Sequence, residues 1–152
     1  MIQHQVVPAE DAEMIHEEHV ELRTNLGELD DAIRRLGCNP EIRADLKGPP
    51  KVWSMVRRFQ AFLPLHFQHE EKGMLDRVAQ VSPELTELTA QLKQEHRSLA
   101  ELFELFAEAV NHLNAADDVI AEVSRAKVLG ENFTNQMFQH IATEETELAG
   151  FL

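Results

Sequence analysis

The stretch FLPLHFQHEEKGML, residues 62–75, decides the fold. His66 and Glu70 lie four apart within it, and Phe59, Leu63 and Met74 keep the same three-and-four spacing, so a histidine and a glutamate ride on the apolar stripe of a helix. A second copy, NQMFQHIATEETEL at 135–148, carries His140 and Glu144, each 74 residues beyond its counterpart. Phe133, Met137 and Leu148 are the matching apolar neighbours. Residues i and i+4 project from one helix face a turn apart, so each copy aims an imidazole and a carboxylate at one point, as a ligand pair for a metal would.

Outward from these copies, the rest of the chain reads as helix. Ile15, Leu22, Leu26, Leu29, Ile33 and Leu36 step by three and four, which predicts a first helix from about Pro8 to Leu36 with His19 on its stripe. Residues 37–50, GCNPEIRADLKGPP, hold two glycines and three prolines and read as a loop. The second helix is expected from about Pro50 to Ala79, with Pro64 bending it just before His66. Ser82-Pro83-Glu84 combines a capping hydroxyl, a first-turn proline and an acid, the start signal of a third helix running to about residue 113 with His96 on its stripe. After a break at Asn114–Asp118, a fourth helix is expected over about 118–149. No segment alternates as a strand does. Four long helices with mostly short connections predict an all-α, antiparallel up-down-up-down four-helix bundle occupying residues 1–152 as a single domain.

The first and third helices are copies as well. His19 and His96 lie 77 apart, and Glu18, Leu22, Leu26, Leu29 and Ile33 match Glu95, Leu99, Phe103, Phe106 and Val110. The bundle is thus a duplicated helical hairpin, each half giving one histidine from its first helix and a His-x-x-x-Glu pair from its second. His19, His66, Glu70, His96, His140 and Glu144 on apolar stripes are costly to bury without partners, at a few kcal/mol for each unsatisfied group. Four imidazoles and two carboxylates exceed the need of one tetrahedral zinc and suit two carboxylate-bridged ions. Iron is the first expectation and manganese the second.

A net charge of −13 without a basic cluster argues against nucleic acid and anionic membrane as partners. No apolar run approaches the roughly 18 residues of a membrane span, and Met1–Ala12 has no export signal, so a cytoplasmic protein is expected. The lone Cys38 reads as an ordinary loop thiol in a reducing compartment. No further apolar face is evident, which fits a monomer or a weak homodimer. His4 and His112 fall off the pattern as surface residues, and Glu17, Glu21, Asp30 and Asp31 read as a solvated face. Trp53 is expected to anchor the core near the start of the second helix.

These residues resemble the hemerythrin-like, or HHE cation-binding, domain family. The pattern is a histidine in helix one, His-x-x-x-Glu-Glu in helix two, Glu-His in helix three and His-x-x-x-Glu-Glu in helix four. Here it is met by His19, by His66 with Glu70 and Glu71, by Glu95 and His96, and by His140 with Glu144 and Glu145. The resemblance covers almost the whole chain. It implies that the four histidines are terminal ligands and that Glu70 and Glu144 bridge two irons beside an oxo or hydroxo group. Glu71, Glu95 and Glu145 read first as solvated acids, with a supporting place behind the ligands as the lesser alternative. The oxygen-carrying members have two histidines four apart in helix three, where this chain has Leu92 and Ala100 flanking His96. They place the helix-four bridge five residues after the histidine, at Glu145, whereas the i+4 repeat favours Glu144. His16 lies one turn before His19 and His69 one turn after His66, at the same end of the site, and one of the two is expected to serve as a seventh ligand or as a base behind the ligands, making the irons unequal.

The implied function is binding of, or reaction with, dioxygen, peroxide or nitric oxide. Binding without turnover as an oxygen or iron store or sensor, catalase-like or peroxidase-like turnover, iron-sulfur repair, and a structural zinc bundle are the alternatives the same donors allow.

Overall fold

The computed structural model describes residues 6–36, 51–113 and 119–151. Four long helices carry the fold: α1 (Ala9–Arg35), α2 (Lys51–Glu70), α3 (Pro83–His112) and α4 (Val119–Glu147). A π-helical turn (Glu71–Leu75) and a short α turn (Asp76–Val78) prolong α2, and a 3-10 turn (Ala149–Phe151) follows α4. Among the described residues there is no strand. His4, Cys38, the expected loop over 37–50 and the break at 114–118 lie outside the described residues.

Each helix packs on the next and α4 closes back onto α1. The pairing is antiparallel. Glu145 meets His19 while Thr134 meets Asp30 across α4 and α1, and Asp11 faces Gly73 while Glu18 meets His66 across α1 and α2. Helix starts follow local chemistry: the Ser82 hydroxyl accepts the amide of Leu85 at 3.2 Å, and Pro83 occupies the first turn.

The second helix runs on as α through Pro64. Its departure from α pitch comes later, in the π turn directly after Glu70, which nothing in the sequence signals. Trp53 is half-buried against the larger apolar cluster.

The core falls into two clusters. The larger runs from Leu22 to Leu36 on α1, through Phe59 and Phe67 on α2, Leu99 to Leu113 on α3 and Val123 to Ile141 on α4. The smaller contains Ile15, Met74, Leu75, Val78, Leu92 and Leu148. On every helix the break between them falls at a histidine or glutamate: His19, Glu70, His96 and Glu144. The bundle therefore holds a polar layer between two apolar plugs, and that layer is the site.

Candidate metal centre

The six polar residues singled out by the sequence come together in this layer, each no more than 3 % exposed. The i,i+4 spacing on α2 brings His66 Nε2 to 2.8 Å from Glu70 Oε1, and the same spacing on α4 brings His140 Nε2 onto Glu144 Oε1. From α1, His19 Nε2 reaches Glu70 Oε2 at 3.2 Å; from α3, His96 Nε2 stands 3.4 Å from Glu70 Oε1 and 3.9 Å from Glu144 Oε1.

Two donor groups result: His19, His66 and Glu70, and Glu70, His96, His140 and Glu144, with the ligand atoms of each group within 4.8 Å of one another. Glu70 belongs to both. Glu144 faces inward in the second, whereas Glu145 lies outside the layer and is 31 % exposed.

Behind each histidine stands a carboxylate. Glu18 lies 3.0 Å from His66 Nδ1, Glu95 lies 2.7 Å from His140 Nδ1, Glu145 lies 3.3 Å from His19 Nδ1, and Glu71 lies 3.8 Å from His96 Nδ1. The arrangement follows the duplication: the acid just before each α1 or α3 histidine serves the other helix of its hairpin, and the acid just after Glu70 or Glu144 serves a histidine of the other hairpin. An imidazole that donates Nδ1–H outward presents the Nε2 lone pair inward, the tautomer a metal ligand needs.

The two halves are not equal. Glu18 also takes His69 Nδ1, at 2.5 Å, and Glu145 pairs with Arg23. The repeat equivalents of His69 and Arg23 are Thr143 and Ala100, and among the described residues no Lys or Arg pairs with Glu71 or Glu95. His69 thus sits behind the donors on one half, while His16 is exposed. His112 is exposed too, whereas Asp30 is half-buried beside Thr134. Phe67 stacks on His96 with centroids 4.1 Å apart, and Phe62 lies nearly parallel to His66 at 6.0 Å.

Protons show what the layer demands. Burial works against charge on His96, but the carboxylates of Glu144 and Glu70 outweigh it and push its pKa up to about 9. Burial likewise opposes charge on His19 and His66, and Glu70 raises both; on His140, Glu144 does the same. Glu144 is pushed up by burial and the charge of Glu70. Burial would raise Glu70 as well, but Glu144 and the surrounding imidazoles hold it well below the usual carboxylate range. Without metal, the layer is a site for positive charge.

The donor atoms fit a metal. Glu70 Oε1, both oxygens of Glu144, and Nε2 of His96 and His140 are buried and make no hydrogen bond. Orphaned buried polar atoms are costly. Nitrogen and oxygen atoms that approach closely without hydrogen-bonding geometry are directed at shared points between them, where cations would satisfy them.

Glu18 is the residue whose role the sequence does not reveal. It is visible only as the repeat partner of Glu95, in the acidic run Glu17-Glu18. A family model described as hemerythrin HHE cation binding domain matches residues 10–152. No curated protein and no solved structure gives a match.

Proposed function

This chain belongs to the hemerythrin HHE cation-binding domain family, and from that premise we propose that it holds two iron ions in the polar layer and binds or reacts there with dioxygen, peroxide or nitric oxide. The observation that carries the reading is Glu70, completely buried and common to both donor groups. A carboxylate shared by two donor groups, with Oε2 beside His19 and Oε1 beside both His66 and His96, is placed as a bridge would be. His19 and His66 would hold one ion, His96 and His140 the other, with Glu144 added on the second side. Mixed imidazole and carboxylate donors suit iron, with manganese next.

Iron held by His19, His66, Glu70, His96, His140 and Glu144 would supply one-electron redox chemistry toward a small oxidant or nitric oxide. The chain's own part is to hold, exclude and exchange. Glu18, Glu95 and Glu145 hold the Nδ1 edges of His66, His140 and His19, so those Nε2 atoms stay aimed inward, while Glu71 stands 3.8 Å from His96 Nδ1 without a hydrogen bond. The apolar clusters on both sides of the layer, with Phe67 on His96, keep bulk water from the donors. Cations at these positions would displace the proton that His96, with its pKa pushed up to about 9, holds at neutral pH.

Metal content and the ultraviolet-visible spectrum of the purified protein, before and after peroxide, test the reading. About two irons per chain with a near-ultraviolet charge-transfer band are expected. Zinc alone, or no metal with no absorbance beyond Trp53, contradicts it. Consumption of peroxide over many turnovers marks an enzyme, and a stable adduct marks a binder.

A further inference from the structure

The six donors are closed off from solvent, so any ion must pass between helices to reach them. The duplication sets two equivalent grooves side by side for comparison, one between α1 and α2 and one between α3 and α4. In the first, Phe62 lies over His66 with an interplanar angle of 13°, and His69 covers Glu18. At the repeat positions in the second stand Gln136 and Thr143. There a cavity of about 350 Å³ opens onto His140 and Leu99, with Glu95, Ser98, Gln136, Gln139 and Thr143 around it.

All five of those side chains carry oxygen. Glu95, 36 % exposed, meets His140 Nδ1 and, among the described residues, no Lys or Arg. Its repeat partner Glu18 is 11 % exposed and already occupied by two imidazoles.

Resting on the di-metal reading above, we propose that the α3–α4 cavity is the port through which a hydrated divalent cation enters the centre, with Glu95 as its transient anchor, and that the α1–α2 groove is closed to it. Hard divalent cations exchange water most readily for carboxylate, amide and hydroxyl oxygens, which are the groups on offer. A half-exposed carboxylate at the mouth, bonded to His140 and to no Lys or Arg among the described residues, draws cations in within a chain of net charge −13, and uncharged amides around it let them move on. The ion first meets the His96, His140 and Glu144 side, the side with two inward carboxylates.

The test uses the metal-free full chain and cobalt(II) as a visible probe, followed by stopped-flow absorbance, with final stoichiometry from elemental analysis. Gln139 and Leu65 are repeat equivalents, and both are exposed. Gln139→Lys places a cation at the proposed mouth, and uptake should slow about tenfold at low ionic strength, recovering as salt is added. Leu65→Lys places the same charge on the closed groove and should leave the rate unchanged. The double variant Gln136→Phe with Thr143→His carries the plugs of the first groove into the second and should slow uptake at every salt concentration. Equal final cobalt content in all variants is expected, since none removes a donor. Wild-type rates in Gln139→Lys, or equal slowing in Leu65→Lys, overturn the port while leaving a two-ion site intact. A wild-type chain that takes up no cobalt overturns the di-metal reading and the port with it.

Discussion

Glu18 and Glu95 each touch a buried histidine from outside the polar layer, and their removal should show what an outer carboxylate does. Glu18→Ala leaves His66 Nδ1–H buried without an acceptor, which costs about 1–3 kcal/mol of stability. It also frees the ring to turn, and metal affinity should fall roughly 10- to 100-fold in a chelator competition. Glu95→Ala should do the same through His140. His69→Ala, one step further out, should weaken metal by less than Glu18→Ala, because Glu18 keeps its bond to His66. An equal loss in both variants would mean that His69 is itself a donor. The six buried polar residues of the layer were legible from the sequence because each sits on an apolar stripe where a polar group is conspicuous. Glu18 was not, since it stands in an acidic run on the outer side of that stripe. Its target is on another helix, and i+4 spacing says nothing about contacts across a hairpin.

At the scale of elements, two glycines inside helices look alike in the sequence and should behave oppositely. Gly130 on α4 lies against side chains of both α1 and α3: a Cβ there would stand 2.6 Å from Ile33 Cδ1 and 2.8 Å from Phe106 Cε2. Both neighbours are fully buried and cannot move aside easily. Gly130→Ala should therefore lower stability by about 1–2 kcal/mol, the overpacking penalty less the gain in helix propensity. Gly27 on α1 is exposed and meets nothing within 4 Å, so Gly27→Ala should raise stability by up to about 1 kcal/mol. Thermal or denaturant melts of the metal-free protein read both signs. The helices and their starts were legible because periodicity and capping are local signals. The close approach at Gly130 and the π turn at Glu71–Leu75 were not, because both are settled by what packs against the helix. Proline drew attention to position 64, yet the α pitch holds there and gives way just after Glu70, where Met74 and Leu75 must both be buried.

For the whole molecule, the layer of opposite charges in the middle of the bundle ties stability to pH and to metal. In the metal-free chain, His96 has its pKa raised from 6.5 to about 9, and His19, His66 and His140 are raised too. A histidine whose folded pKa exceeds its unfolded value binds its proton more tightly when folded. Its contribution is complete below about pH 6.5 and is lost as pH rises through the folded pKa. The metal-free bundle should thus lose stability between pH 6.5 and about 9. Metal reverses the dependence, because the donors must shed their protons before they can coordinate. Binding in weak buffer at neutral pH should release on the order of one proton or more per ion, and affinity should climb with pH across the same window. The difference in melting temperature between metal-loaded and metal-free protein, measured at half-unit steps from pH 6 to 9, should widen steadily. A difference that stays constant or narrows would mean that the imidazoles are already neutral in the metal-free layer, and that its buried carboxylates are balanced by something other than these protons.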